Sequence, residues 1–159
     1  PIINAFFNAP DFVKFCRDMR YYISCDMTED EEASRTKGYP VGVLWDKGRE
    51  VRVWFMHYAD FEGAKAKWQE RSRRIHWDNM YILMTDGSGC DEALAQEFDA
   101  LPYEHKVLLT SRAYKNVKSA VRFSINEQDV GCPQMFAFKS RLSVKRVIDD
   151  WDYVAFLNS

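Results

Sequence analysis

Short apolar runs alternate with helical stretches over residues 51–110, and this order constrains the fold more than any other feature of the sequence. The apolar runs are 51–56, 80–84 and 106–110. The last two have the composition of strands that are buried on both faces. Because strand–helix–strand–helix–strand order is typical of a sheet with parallel strands, the sequence predicts an α/β fold.

Helix signals separate these strands and also flank them. Asn8 followed by Pro10 is typical of a helix start. The apolar spacing then predicts a core-facing stripe of Phe12, Phe15, Cys16, Met19 and Ile23. Asp60 can cap a second helix, with a stripe of Phe61, Ala64, Trp68 and Ile75. A third helix is predicted after Asp91, with Leu94, Phe98 and Leu101 on one face. A last helix is predicted from Asp149 or Asp150. It carries Trp151, Val154 and Leu157.

Two segments outside this region complete the predicted architecture. Residues 41–45 are expected to pair with 51–56 as an antiparallel hairpin around a turn at 46–49, whereas the acidic stretch 26–38 is typical of a solvated connection. Residues 120–125 add a further strand. We therefore predict one α/β domain over 1–159, a three-layer Rossmann-like fold with a mainly parallel sheet and an antiparallel hairpin at one side. The chain opens at Pro1 without an initiator Met, which leaves open a missing N-terminal segment.

Charge and cysteine content narrow the function classes. The 22 Lys and Arg against 24 Asp and Glu give a net charge of −2, which argues against a dedicated nucleic-acid-binding protein. The four cysteines form no CxxC pair, and free thiols are favoured over disulfides. No signal peptide or apolar run of about 18 residues is present, so a cytoplasmic protein without a transmembrane segment is expected. Motifs such as HExxH are absent, and no metal or cofactor is predicted.

Polar side chains follow each of the three predicted parallel strands. They are His57 and Tyr58 after the first, Asp86 and Ser88 after the second, and Ser111 and Arg112 after the third. Because the carboxyl ends of parallel strands meet at one edge of a sheet, we expect these side chains to form one site. His57 and Asp86 are the candidate catalytic residues, and the other four are candidate substrate ligands. The alternative is that His57 is a hydrogen-bonded structural residue and Asp86 a turn residue.

A basic stretch at 65–74 supplies further candidate ligands. Helical spacing would bring Arg71 and Arg74 close to Lys67, beside the apolar stripe. Such a row can bind a pyrophosphate or an acidic sugar. The alternative is that these side chains pack their stems on the edge of the core and pair with Glu70 or Asp78.

The order of several short motifs resembles that of the bacterial family called domain of unknown function nineteen-nineteen, often labelled exopolysaccharide biosynthesis proteins. The likeness covers about residues 10–158. The motifs are Tyr39-Pro40-Val41-Gly42, Phe55-Met56-His57-Tyr58, Lys67-Trp68, Arg71 with Arg74-Ile75, Asp78-Asn79, Gly89-Cys90, Phe98-Asp99-Ala100-Leu101-Pro102-Tyr103 and Lys106-Val107. This chain departs from the family in two respects. Family members usually have an additional N-terminal segment, which is missing before Pro1, and they commonly have an acidic residue at the position of Ser88. The second departure weakens any proposal of a two-carboxylate or metal site at that loop.

The resemblance implies a Rossmann-like protein of bacterial surface polysaccharide biosynthesis. Together with the strand-end residues it leads to the expectation of a transferase, glycosyl or other, that acts on a nucleotide-activated or lipid-linked sugar. The alternative is a non-catalytic module that binds a sugar polymer or a protein of the assembly machinery. Surplus aromatic residues, above all Trp45, Trp54 and Trp77 at strand faces or element ends, would serve such a surface. The sequence does not indicate substrate, reaction or oligomeric state.

Overall fold

A computed structural model describes residues 5–45, 48–87, 89–124 and 137–159. The chain divides into two compact units, Pro1–Asp78 and Asn79–Ser159. The first contains an antiparallel sheet and the second a parallel sheet, so the mixed α/β class is confirmed. No helix among the described residues is long and apolar enough to cross a membrane.

The first unit begins with two short helices, α1 (Ala9–Arg17) and α2 (Met19–Ser24). The predicted start after Asn8 is confirmed, with Pro10 in the first turn. The predicted stripe continues past Arg17, but the backbone leaves the helical region at Asp18, with φ −138°. Its members Phe15, Cys16 and Met19 are buried, whereas Phe12 and Ile23 are only partly buried.

The expectation of a solvated connection over 26–38 is wrong. This segment forms strand β1 (Met27–Glu29) and helix α3 (Glu31–Lys37), and Asp30 caps the helix by accepting a hydrogen bond from the Ala33 N–H at 3.0 Å. The acidic residues are those expected at a helix N-terminus, where they interact favourably with the helix dipole. Their high charge therefore marks a helix start rather than a loop.

The antiparallel sheet has the strand order β1-β2-β3, with β2 at Val41–Leu44 and β3 at Val51–Trp54. The predicted hairpin is confirmed by the pairing of Val41 with Trp54, although residues 46 and 47 of its turn lie outside the described residues. The prediction that 51–56 belongs to the parallel sheet is wrong. Pairing with β2 satisfies the β3 backbone on one side, and Phe6 pairs with Trp54 on the other, with N–H to carbonyl distances of 2.8 Å.

Helix α4 (Phe61–Ser72) completes the first unit, capped as predicted by the Asp60 carboxylate, which accepts from the Gly63 N–H at 2.7 Å. Its buried residues are Ala64 and Trp68. The Trp68 ring lies 5.8 Å from that of Phe15 and 6.4 Å from that of Phe55. These aromatic contacts join α1, α4 and the end of β3 in one core.

The parallel sheet of the second unit has the order β4-β5-β6, with β4 at Tyr81–Thr85, β5 at His105–Thr110 and β6 at Ala120–Arg122. Helix α5 (Glu92–Asp99) connects β4 to β5, so the predicted strand–helix–strand unit is confirmed here. Of the predicted strand 120–125, residue 125 lies outside the described residues. On one face Val107, Leu109 and Phe123 form a core cluster.

The prediction that strand 80–84 is buried on both faces is wrong. Ile82 and Met84 are buried, but the Leu83 between them is 46% exposed. Among the described strands β4 pairs only with β5, and the cover on its second face is incomplete. Because successive side chains of a strand point to opposite faces, one uncovered face explains the alternating burial.

The last predicted helix starts later than expected. A 3-10 helix spans Val147–Asp150, and helix α6 (Tyr153–Leu157) is capped by Asp152, which accepts from the Ala155 N–H at 2.8 Å. This restart changes the helical phase, so Val154 and Leu157 are exposed instead of buried. Ile148, Trp151 and Phe156 pack on the core cluster in their place.

Strand β1 can be tested at Gly42, which faces it. A Cβ atom on Gly42 would lie 2.6 Å from Met27 Sδ and 3.0 Å from Phe55 Cε2. Gly42→Ala should therefore lower the free energy of unfolding by about 1 to 3 kcal/mol, measured by urea denaturation. The same substitution in a Met27→Ala background should cost less, because the closest contact has been removed. An equal cost in both backgrounds would contradict the packing of β1 against β2.

Candidate functional site

Three polar residues, cysteines and aromatic residues aside, are buried in the part of the chain that the structure describes: Asp86, Thr110 and Ser111. All three lie where β4 and β5 end. We call this region the carboxyl edge, comprising residues 85–87, 110–112 and 122–124. Burying polar groups costs free energy unless they are hydrogen-bonded, so their concentration at one edge needs an explanation.

The Asp86 carboxylate joins the ends of β4 and β5. Its Oδ2 accepts a hydrogen bond from the Thr110 hydroxyl at 2.6 Å and another from the Ser111 backbone N–H at 3.3 Å. The Asp86 N–H in turn donates to the Leu109 carbonyl at 3.2 Å. This continues the parallel pairing of the two strands for one residue beyond β4. The carboxylate is 2% exposed, so these donors replace the water it would otherwise bind.

The Ser111 side chain stands apart from this network. Its Oγ is buried and has no hydrogen-bond partner among the described residues. The residue itself is held in place through its backbone, because its N–H donates to Asp86 and its carbonyl accepts from Arg122 Nε at 3.2 Å. A fixed, buried hydroxyl without a partner contributes nothing to stability and is suited to bind a ligand.

Arg112 supplies a cation at the same edge. Its Nη1 donates to the Cys90 carbonyl at 2.8 Å, which ties the guanidinium to the loop before α5, while the side chain stays exposed. Burial opposes its charge, but the hydrogen bond with the Tyr114 hydroxyl and the charge of Asp86 raise the pKa of Arg112 above its ordinary value. Arg112 is therefore positively charged at any physiological pH, near a buried anion.

Cys90 and Tyr114 complete the cluster without adding a nucleophile. Burial is the main cause that raises the pKa of the Cys90 thiol, and the charge of Asp86 acts in the same direction. Burial also raises the pKa of the Tyr114 phenol well above its ordinary value. Both groups stay protonated near neutral pH, so Cys90 lacks the thiolate that nucleophilic catalysis requires.

The segment that follows β5 is entirely basic in its charged residues. From 111 to 124 it contains Arg112, Lys115, Lys118 and Arg122 and no Asp or Glu. The acidic side chains of Asp86 and Asp99 contact this segment: Asp86 accepts from the Ser111 N–H, and Asp99 Oδ1 accepts from the Ser119 N–H at 2.7 Å. The carboxyl edge itself contains the guanidinium groups of Arg112 and Arg122 and the single carboxylate of Asp86. Together with the unpartnered Ser111 hydroxyl, these cations suit an anionic group such as phosphate.

The structure brings together three of the predicted site residues: Asp86, Ser111 and Arg112. Ser88, predicted beside them, lies outside the described residues. Sequence reasoning did not select Thr110 or Arg122. Thr110 is a polar residue inside an otherwise apolar strand, which is a usable signal, whereas the bond from Arg122 to Ser111 depends on the register of β5 and β6.

The remaining predicted residues belong to the first unit. They do not follow a strand of the parallel sheet, so the rule for carboxyl ends of parallel strands does not apply to them. His57 and Tyr58 follow β3, which is a strand of the antiparallel sheet. His57 is exposed and Tyr58 is half-buried, with its ring 5.7 Å from that of Phe55. Their assignment to a functional site stays a prediction. The rule that ligands bind at the carboxyl ends of parallel strands no longer supports it, because β3 is antiparallel to its neighbours.

The predicted basic row is only partly formed. Helix α4 ends at Ser72, so Arg74 is not part of the helical face that carries Arg71. Glu70 forms ion pairs with both Lys67 and Arg74, as the solvated alternative expected. These pairs hold the pKa of Glu70 below its ordinary value. Anion binding by Arg71 and Arg74 stays a prediction.

The described residues contain no group of three or more His, Cys, Asp or Glu side chains that could hold a metal ion. Cys16, Cys25 and Cys90 form no disulfide, and Cys132 lies outside the described residues.

Removal of the two buried hydroxyls of the carboxyl edge, those of Thr110 and Ser111, should have different effects on stability. Thr110→Val deletes a donor to the buried Asp86 carboxylate and should lower the free energy of unfolding by about 1 to 3 kcal/mol. Ser111→Ala removes a hydroxyl that has no partner, so stability should be unchanged or slightly higher. Urea denaturation of the two variants beside the unaltered protein measures both effects. A large loss of stability in Ser111→Ala would show that its hydroxyl is structural.

Comparison with known proteins places this architecture in a family. The family model described as Domain of unknown function (DUF1919) matches residues 1–158. A protein of Haemophilus influenzae, described as "Uncharacterized protein", is 34% identical over 158 residues, which cover 99% of this chain and 73% of that protein. The match spans both units, and the chain belongs to the DUF1919 family.

Proposed function

We propose that the carboxyl edge binds a nucleotide-activated or lipid-linked sugar, and that the protein is a transferase in the assembly of bacterial surface polysaccharide. The observation that carries the binding site is the buried, unpartnered hydroxyl of Ser111, a residue whose backbone N–H donates to the Asp86 carboxylate and which directly precedes Arg112 in the chain. The polysaccharide context rests on the resemblance of the sequence to proteins labelled for exopolysaccharide biosynthesis. Exopolysaccharide, capsule and lipopolysaccharide are the polymers to which the proposal extends.

The chemistry of the edge supports a sugar linked to phosphate. A guanidinium forms charge-assisted hydrogen bonds to phosphate oxygens, and the Ser111 hydroxyl can donate one more. Each carboxylate oxygen has two lone-pair sites, so Asp86 can accept from a sugar hydroxyl while keeping its bonds to Thr110 and Ser111. In this arrangement Arg112 binds the charged part of the ligand and Asp86 orients its neutral part.

The parallel arrangement of the second unit supports this assignment. In open sheets with parallel strands, ligands bind beyond the carboxyl ends, where the loops converge. The unit β4–α5–β5 with β6 alongside is Rossmann-like in this respect. We retain a Rossmann-like arrangement of the parallel-sheet unit as part of the proposal, together with a cytoplasmic location.

A transfer reaction also needs a base that activates the acceptor hydroxyl. We keep His57 as the candidate for this role and Tyr58, Arg71 and Arg74 as candidate ligands, all as residues of the antiparallel-sheet unit. His57 is exposed, and histidine is the side chain that most often transfers protons in catalysis. Asp86 is the acidic candidate for acid–base chemistry at the carboxyl edge.

A non-catalytic sugar-binding module is the second candidate, and Trp45 favours it. This indole is 54% exposed at the end of β2 and is oriented by a 3.0 Å hydrogen bond from Nε1 to Glu50 Oε1. An exposed, oriented ring is suited to stack on a sugar. Trp54 and Trp77 are less available, because Lys37 and Arg20 lie over their rings at 5.7 Å and 4.2 Å.

Thermal-shift measurements against a panel of nucleotide sugars test the binding site. A ligand at one hundred times its Kd adds about 2.7 kcal/mol to the stability of the folded state. For a chain of this length that raises Tm by roughly 5 to 10 °C. The shift should be lost in Ser111→Ala and Arg112→Gln and kept in Arg35→Gln, which removes an exposed cation from α3.

Two results would decide against parts of this proposal. If neither nucleotide sugars nor a lipid-linked sugar in detergent raises Tm, the carboxyl edge is not a sugar-nucleotide site. If a ligand binds but His57→Ala leaves transfer to an acceptor unchanged, His57 is not the base. Loss of binding in Trp45→Ala with full binding in Ser111→Ala would favour the non-catalytic module.

A further inference from the structure

Residues 137–147 form a small hairpin that extends from the parallel-sheet unit. The Val147 N–H donates to the Ala137 carbonyl at 3.1 Å, and the Lys139 N–H donates to the Lys145 carbonyl at 3.0 Å. The Ser143 N–H closes a turn with the Ser140 carbonyl at 3.1 Å. Arg141 and Leu142 are the central residues of this turn and form the tip of the hairpin. We call residues 137–147 the basic hairpin.

The tip of the basic hairpin presents apolar side chains to solvent. Leu142 is 98% exposed, Val144 is 90% exposed and Phe138 is 58% exposed. Turns usually carry Gly, Asn, Asp or Ser, because these residues suit the backbone and hydrogen-bond to it. These three apolar side chains lie within seven residues and do not belong to the core. A single exposed aliphatic residue would be ordinary, but a cluster of three indicates a binding surface.

The charge of the hairpin is of one sign. Between 137 and 148 the sequence has Lys139, Arg141, Lys145 and Arg146 and no Asp or Glu. Acidic residues act only at its base, where Lys139 pairs with Asp150 and the Arg146 N–H donates to Asp149. Arg146 also lies over the Phe138 ring at 5.6 Å. Among the described residues Arg141 and Lys145 form no ion pair, so the distal part of the hairpin has uncompensated positive charge.

We propose that the basic hairpin docks this protein on the surface of an anionic phospholipid bilayer. Leu142 and Val144 enter the boundary between head groups and acyl chains, while Arg141 and Lys145 bind lipid phosphates. Apolar side chains flanked by Lys and Arg are the combination that holds peripheral proteins at such an interface. This inference does not depend on the proposed function, since it rests on residues outside the carboxyl edge.

Charge complementarity and shape favour a bilayer over other polyanions or a protein. A nucleic acid would be recognised by the cations, but fully exposed Leu and Val side chains have no role in binding phosphates or stacking on bases. A protein partner would need a surface with a groove for the tip. A bilayer needs only that the apolar tip projects beyond the fold, and the exposures of Leu142 and Val144 meet that requirement.

Flotation of the full chain with lipid vesicles tests the proposal. The protein should float with vesicles of phosphatidylglycerol and phosphatidylcholine in equal parts, and much less with phosphatidylcholine alone. The double variant Arg141→Gln/Lys145→Gln should bind about 25-fold more weakly, since each basic residue near an anionic surface contributes roughly fivefold. Leu142→Ser/Val144→Ser should weaken binding about tenfold or more through the loss of apolar insertion.

The matched control removes two exposed cations elsewhere in the same unit. Lys115→Gln/Lys118→Gln lowers the net charge by the same amount and should keep most of the binding. All variants should keep the Tm of the unaltered protein, because none of the replaced side chains is buried. Absence of flotation with anionic vesicles would overturn the proposal, as would equal losses in the control and hairpin variants. A serine variant that floats as well as the unaltered protein would show that the apolar tip serves another partner.

Discussion

The hydrogen bonds of the Asp86 carboxylate determine how the carboxyl edge is built. Parallel strands pair along their length but diverge where their connections begin, and Asp86 joins β4 and β5 at that point through Thr110 and Ser111. A buried carboxylate that lost these donors would be left without compensation for its lost hydration. These two bonds therefore help to position Ser111 and the neighbouring Arg112, together with the bonds from Arg122 to Ser111 and from Arg112 to Cys90.

Burial of the polar groups of the carboxyl edge costs free energy of folding, and this cost indicates that the groups have a function. An apolar residue in place of Asp86 or Ser111 would avoid the burial of polar atoms, as the rest of the sheet does with Leu108 and Leu109. Proteins tolerate such groups where a ligand uses them. The charge distribution also indicates a ligand site. The basic residues after β5 have few acidic neighbours in the sequence, although the chain as a whole is slightly acidic.

Local signals predicted much of the fold, and long-range pairing decided the rest. The helix start after Asn8, the Asp60 cap and the 80–110 strand–helix–strand unit could be predicted because they depend on neighbours in the sequence. The sheet to which strand 51–56 belongs could not, since its apolar pattern fits either a parallel or an antiparallel partner. For this reason His57, which follows β3, does not follow a strand of the parallel sheet as predicted. Asp86, Ser111 and Arg112 do lie at one edge, because β4 and β5 are parallel.

Backbone amide chemical shifts offer the most direct test that the carboxyl edge is a ligand site. In ¹⁵N-labelled protein, titration with the nucleotide sugar that raises Tm most should shift the Ser111 and Arg112 amides the most, because the first donates to Asp86 and the second to the Thr110 hydroxyl at 2.8 Å. Largest shifts confined to the antiparallel-sheet unit, with these two amides unmoved at saturation, would contradict the account.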